Sequence, residues 1–253
     1  MTLIVVSSVS GAPGVTSLAL GMAATWPDEA RPVVVECDPS GGDIAARYSL
    51  TPSPGLVELV AHRTESDALS RAAQQVQVTG CSVGVVCSPP GGREVAAALP
   101  ALSADRTLTT DGVVVADVGR LTGNGAAWGL LRDADAVVLV VTGTLGHIAH
   151  LRTHLAHVTE PLPATRFVVA VAGGPYDAAD VAATDLATPD TTIVDAPFGP
   201  RVARLLDSGG LSARRTKPIM QGWRSIAEAC LTPPVTPDPV ENVTQAGGVE
   251  VSA

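Results

Sequence analysis

Two short runs constrain the fold more than anything else in this sequence: "VVVA" at residues 113–116 and "AVVLVV" at residues 136–141. A strand with one wet face alternates apolar and polar residues, whereas a strand apolar on both sides is covered on both sides. Central strands of a parallel sheet flanked by helices meet that condition. Similar short runs recur along the chain and predict strands at Leu3–Ser8, Pro32–Glu36, Ser82–Cys87, Gly112–Asp117, Ala136–Thr142, Arg166–Ala172 and Thr191–Asp195. Helical segments fall between them at Thr16–Trp26, Gly55–His62, Ser66–Gln77, Arg93–Leu99, Ala126–Arg132, Leu145–Val158, Ala178–Leu186, Arg201–Asp207 and Ile219–Leu231. This alternation predicts one doubly wound α/β domain over residues 1–231, with a mostly parallel sheet of about seven strands and helices on both faces. From Thr232 the chain reads "TPPVTPDPVENVTQAGGVEVSA", proline-rich and acidic without a base, and residues 232–253 are expected to be a disordered tail.

With 253 residues, 46% of them apolar, the chain is long enough to bury such a core. Aromatic residues make up only 3%, so the core must be built from Val, Leu, Ile and Ala. A net charge of −9 argues against broad nucleic-acid binding. Five of the sixteen basic residues lie between Arg201 and Lys217, so contact with DNA is expected only through a weak local patch there, if at all. The four cysteines form no metal-type pairs and read as buried free thiols in a reducing compartment. The apolar runs are too short to span a bilayer, and the N-terminus lacks the basic segment of a secretory signal. A cytoplasmic protein without membrane insertion is expected. One lysine against fifteen arginines suggests a GC-rich bacterial genome.

Ligands of doubly wound sheets bind outside the carboxyl ends of the strands. After the first strand comes "SVSGAPGVTS", a strand–glycine loop–helix arrangement whose backbone N–H groups face an anion at the helix start. The phosphate-binding candidates are Gly11, Ala12, Pro13, Gly14, Val15, Thr16 and Ser17. Val15 occupies the place where phosphate loops carry lysine. After the second strand, "VVVECDPSGGD" offers Glu36 and Asp38, and after the fourth, "VVVADVGR" offers Asp117. A hydroxyl at Thr16 with carboxylates at Asp38 and Asp117 is a donor set for Mg2+, which keeps most of its own water.

These segments together resemble the ParA/MinD-like P-loop ATPases, of the SIMIBI type, in order and spacing from Met1 to Leu231. The family's loop reads Lys-Gly-Gly-x-Gly-Lys-Thr-Ser/Thr; Gly11, Gly14, Thr16 and Ser17 match it, while Ser10, Ala12 and Val15 replace two lysines and a glycine. Its Asp-x-Asp-Pro-x-Gly segment matches at Asp38, Pro39 and Gly41, with Glu36 at the first acid. Its C-terminal stretch matches at Pro197, Val202 and Gly210, but Gly199 stands in place of aspartate, and Ala172 and Gly173 in place of the asparagine that reads adenine. The resemblance implies ATP and Mg2+ as cofactors, Asp38 as the residue that orients the attacking water, and metal contacts from Thr16, Asp38 and Asp117. It further implies a protein partner, a homodimer, and work in intracellular positioning such as partition, septum placement or secretion and pilus assembly.

The substitutions predict a weakened or lost nucleotide site. Each charge-assisted hydrogen bond contributes about 1.5–3 kcal/mol, so two lost lysines remove roughly 3–6 kcal/mol and shift a micromolar ligand to millimolar. The first reading is therefore a pseudo-ATPase acting as a binding or scaffolding partner. An active ATPase, with Arg120 or Arg93 supplying the missing charge, is the alternative. A second alternative comes from "LGHIAHLRTHLAHV", which places His147, His150, His154 and His157 on one face of one helix. That row reads first as a half-exposed helix face, then as a partner or pH-sensitive interface, and third as a metal-chelating pair at His150 and His154.

Overall fold

The structure is a computed structural model that describes residues 2–11, 14–109, 112–123, 125–184, 186, 191–208 and 213–232. Ala12, Pro13, Gly210 and the tail from Pro233 onward lie outside the described residues. The strands are β1 (Thr2–Ser8), β2 (Val33–Glu36), β3 (Gln74–Val78), β4 (Cys81–Val86), β5 (Val113–Arg120), β6 (Ala136–Val141), β7 (Arg166–Ala172) and β8 (Thr191–Ala196). They form one sheet in the order β3-β4-β2-β5-β1-β6-β7-β8. Every neighbouring pair is parallel except β3 with β4. The two runs that contain no wet face, in β5 and β6, flank or adjoin β1 at the centre of the sheet, as their composition requires.

The helices are α1 (Val15–Ala24), α2 (Ile44–Arg47), α3 (Leu56–Ala61), α4 (Ala68–Ala72), α5 (Gly92–Ala104), α6 (Trp128–Asp133), α7 (Leu145–Thr159), α8 (Ala178–Ala182), α9 (Pro200–Ser208) and α10 (Ala213–Leu231). Successive strand residues point to opposite faces, and two buried clusters divide accordingly. Leu3, Val5, Val137 and Leu139 pack under α3 to α8, whereas Ile4, Val6, Val138 and Val140 pack under α1, α9 and α10.

Three expectations need correction. The segment Ser66–Gln77 is not one helix: it contains the short α4 and then β3, whose Val76 and Val78 point inward while Gln75 and Gln77 face solvent. As an antiparallel edge, β3 buries only one side, so glutamines suit its outer face. The sheet therefore has eight strands, and α2 is an additional helix. The last helix begins at Ala213 rather than Ile219 and carries Pro218 within it. Of the cysteines, Cys37, Cys87 and Cys230 are buried free thiols, but Cys81 is exposed at the start of β4.

Where α1 crosses α10, Gly21 meets the fully buried ring of Trp223; a Cβ at position 21 would lie 2.2 Å from the indole Cδ2. Alanine in a helix interior normally stabilises by about 1 kcal/mol over glycine. Here the overpacking cost of about 1–3 kcal/mol wins. Gly21→Ala is expected to lower the thermal unfolding midpoint, and a raised midpoint would contradict this packing.

Candidate functional site

The described phosphate-loop candidates, Gly11 and Gly14 to Ser17, sit at the carboxyl end of the central strand β1. Gly11 and Gly14 have φ values of +64° and +79°, a region open to glycine at little cost. The Ser8 hydroxyl donates to the Gly11 carbonyl at 2.8 Å and ties the loop to its strand. Gly14 is the N-cap of α1, and no side chain caps that helix, so its first N–H groups and its dipole are directed toward the loop. Ser10 is buried, and its hydroxyl has no hydrogen-bond partner among the described residues. Val15 is only 2% exposed and belongs to the cluster beneath α1, α9 and α10. The residue after the last loop glycine is thus an apolar side chain that forms part of the core.

Beside α1 stand the acids. Asp117 is 1% exposed near the end of β5; its Oδ1 accepts the Gly119 N–H at 3.0 Å, and its carboxylate is also hydrogen-bonded by the Thr16 side chain. Burial pushes the Asp117 carboxyl up to about 7, opposed by the Thr16 and Gly119 hydrogen bonds and reinforced by the charges of Glu36 and Asp38. Between Val6 and Ser8 the register of β1 against β5 shifts by one residue, a bulge that carries β5 on to Arg120. Gly119 lies in that bulge, and a Cβ there would fall 2.0 Å from Asp38 Oδ2. The glycine therefore lets Asp38 lie against β5. Asp38 is half-buried, and its Oδ1 accepts the Ser40 N–H at 2.8 Å.

Glu36 does something the sequence did not reveal. Its Oε1 accepts the N–H groups of Asp43 (2.7 Å) and Ile44 (2.8 Å), and its Oε2 accepts that of Ser88 (3.0 Å). The Ser88 hydroxyl returns a bond to the Glu36 carbonyl at 2.5 Å. Burial raises the Glu36 carboxyl, and the three backbone N–H groups pull it back down. This carboxylate is fully engaged in holding the loops after β2 and β4 together.

The cation that the structure brings to the loop is Arg47. Its Nη1 lies 3.5 Å from Ser17 Oγ in the first turn of α1, and its Nε lies 3.5 Å from Asp207 on α9. Arg47 was missed because "GGDIAAR" is too short to show a helical period. Arg120 and Arg93 are both exposed and make no described hydrogen bond with the loop; Arg120 instead lines a groove beside α6 and α7. Phe198, half exposed after β8, covers two glycines: Cβ atoms at Gly14 and Gly173 would lie 3.9 and 2.7 Å from its ring. Sequence comparison pointed to Ala172, Gly173 and Gly199 here, but not to the aromatic ring between them.

On α7 the histidines separate. His147 is half-buried with its Nδ1 unpartnered, and the rings of His150 and His154 stack at 6.5 Å. His154 and His157 face the groove that contains Arg120. Among the described residues no three His, Cys, Asp or Glu side chains gather around a possible metal ion. That is unfavourable for zinc. A hydroxyl and a carboxylate completed by phosphate oxygens and water would instead suit magnesium, and Thr16, Asp117 and Asp38 offer that set. Arg201, Arg214, Arg215 and Lys217 are exposed along α9 and α10. No helix among the described residues is long and apolar enough to cross a membrane.

No protein-family model matches this sequence, and no curated protein does. Solved structures do. The ATP complex of a McdA variant from Cyanothece is 17% identical, with a TM-score of 0.67 over 90% of this chain and 96% of that one. A ParA family ATPase from Chlorobium tepidum is 15% identical, with a TM-score of 0.66 over 91% and 98%. The MinC:MinD cell division complex of Aquifex aeolicus gives 11% identity and a TM-score of 0.63 over 90% and 94%. The chain has the ParA/MinD-like P-loop ATPase fold.

Proposed function

We propose that this chain is a ParA/MinD-like protein of intracellular positioning, in partition, septum placement or assembly of a secretion or pilus apparatus. It binds Mg-nucleotide weakly or not at all, hydrolyses it poorly, and acts as a binding or scaffolding partner. The observation that carries this reading is Val15, buried in the core where phosphate transfer requires a cation. The uncapped start of α1 at Gly14 would still offer its N–H groups to an anion.

When nucleotide is present, the Val15, Thr16 and Ser17 N–H groups would hold phosphate, with Arg47 beside Ser17 as the nearest positive charge. Thr16 and Asp117 would hold magnesium, which neutralises phosphate charge. Asp38 would orient water, and the exposed ring of Phe198 would lie against the nucleoside. A protein partner, a second copy of this chain among them, and a cytoplasmic location complete the proposal. The MinC:MinD complex is a precedent for action through a partner in this fold.

Calorimetry with Mg2+ and ATP tests it. The expected dissociation constant is near millimolar, since the missing charge removes roughly two to four decades of affinity. Binding tighter than about 100 micromolar would overturn the pseudo-ATPase reading.

A second reading, an active ATPase, is favoured by the Thr16–Asp117 hydrogen bond beside Asp38 and by the position of Arg47. It requires phosphate release that falls at least about 100-fold in Asp38→Ala, in keeping with loss of an acid–base group. Turnover that persists in Asp38→Ala would remove the role assigned to that residue.

A further inference from the structure

The phosphate loop lies on the α1 side of the sheet. On the other side, between α6 and α7, the protein has a groove of about 980 Å³, ample for a ligand of one or two rings. Its rim carries Arg120 from β5, Arg132 from α6, and His154 and His157 from α7. No aspartate or glutamate is among the described residues that line it, although the whole chain has a net charge of −9. Neither guanidinium has an ion pair or hydrogen bond among the described residues. The neighbouring acid Asp133 is turned to Arg106, at 3.6 Å. An arginine is always charged, and two unpaired ones over a single groove leave two formal positive charges without a counterion.

The remaining lining says what kind of anion would fit. Buried Val9, Leu121 and Val158 form an apolar floor, and the half-buried Trp128 ring lines the groove as well. The Trp128 indole N–H donates to the Thr122 carbonyl at 2.9 Å, which fixes the ring's position. His157 Nδ1 lies 3.0 Å from the Thr153 carbonyl. A carbonyl only accepts, so Nδ1 carries a proton, and Nε2 donates to an anion only when it holds a second one, as the imidazolium. Inorganic anions would leave the floor and the indole uncovered, and neutral rings would leave the arginines uncompensated.

We propose that the α6–α7 groove binds a small organic phosphate, its dianionic head held by Arg120 and Arg132 and its apolar body laid on the Val9–Leu121–Val158 floor beside Trp128. The phosphate is chosen because a phosphomonoester is a compact dianion with oxygens placed for guanidinium forks. The groove meets the start of the phosphate-loop stretch at Val9, but the helices that wall it, α6 and α7, cover the face of the sheet opposite to α1.

The probe is 1-naphthyl phosphate, titrated into the full chain labelled with 15N. The chain has three tryptophans, and Trp26 and Trp223 are buried on the other face, so the indole signals locate the ligand. The Trp128 signal, assigned by Trp128→Phe, is expected to move saturably. Arg120→Ala/Arg132→Ala should weaken the probe at least tenfold, and His157→Ala alone severalfold; the Trp26 and Trp223 signals, on the phosphate-loop side, should stay in place. Inorganic phosphate should bind at least tenfold more weakly than the probe, and phthalate, a dicarboxylate, more weakly too. Both arginines are exposed, and an unchanged circular dichroism spectrum confirms that the variants fold. Equal binding by wild type and the double arginine variant overturns the proposal. So does movement of the Trp26 or Trp223 signal in place of that of Trp128, an immobile Trp128 signal, or inorganic phosphate or phthalate binding as tightly as the probe.

Discussion

Glu36→Ala is expected to lower the free energy of unfolding by about 3–6 kcal/mol, because each buried N–H left without an acceptor costs on the order of 1–3 kcal/mol. Two such N–H groups, at Ile44 and Ser88, and a partly buried third at Asp43 end on its two carboxylate oxygens. A domain of this class holds only about 5–15 kcal/mol in total, so the variant sits near the edge of folding. Glu36→Gln keeps one oxygen acceptor but presents an NH2 group to a donor, and about half the loss is expected from it. Urea unfolding of the three proteins measures the series. A Glu36→Ala variant within about 1 kcal/mol of wild type would show that water replaces the carboxylate, and that the loops after β2 and β4 do not depend on it.

Asp117→Asn is expected to act in the opposite direction. The Asp117 carboxyl titrates at about 7 in the folded protein against 3.8 when exposed, with burial the largest cause. Below pH 3.8 the group is protonated in both states, and its burial carries no ionic penalty. Between that value and about 7 the folded state holds a proton that the unfolded chain has released, so stability falls as the pH rises. Above about 7 the loss is complete, and a gap of about three pH units between the two states is worth on the order of 4 kcal/mol.

Asparagine is neutral throughout and avoids that penalty, less whatever its amide loses at the Thr16 and Gly119 contacts. The variant should therefore be more stable than wild type at pH 8, close to it at pH 4, and flatter in between. Urea midpoints at several pH values test this. An undiminished pH slope in Asp117→Asn would place the titration on another group. Should the same change also abolish any magnesium dependence of nucleotide binding, the carboxylate is kept at a cost in stability for its chemistry.

The layered fold was legible because its strands announce themselves. "AVVLVV" and "VVVA" have no polar side to expose, so helices on both faces followed directly. β3 escaped because glutamine alternating with valine serves an edge strand as well as a helix end, and only its antiparallel pairing with β4 decides between them. Asp38, two residues past β2, and Asp117, inside β5 before its bulge, were singled out because ligands of such sheets bind at the carboxyl side of the strands. The role of Glu36 was not readable, since its three partners come from residues 43, 44 and 88, and only folding brings them together. Arg47 and Phe198 reach the loop from distant segments for the same reason. The histidine row had a real helical period. What the sequence could not indicate was that Arg120 and Arg132 stand across from its lower half.

β1 runs through the interior of the sheet, hydrogen-bonded to β5 on one side and β6 on the other. Amides in such a strand exchange with solvent only when the whole sheet opens, whereas the edges at β3 and β8 fray much earlier. The glycine loop continues directly from that slowest-exchanging strand. The residues that open and close that loop, Gly11 through the Ser8 hydroxyl bond and Gly14 at the start of α1, are therefore tied to the part of the sheet that opens last.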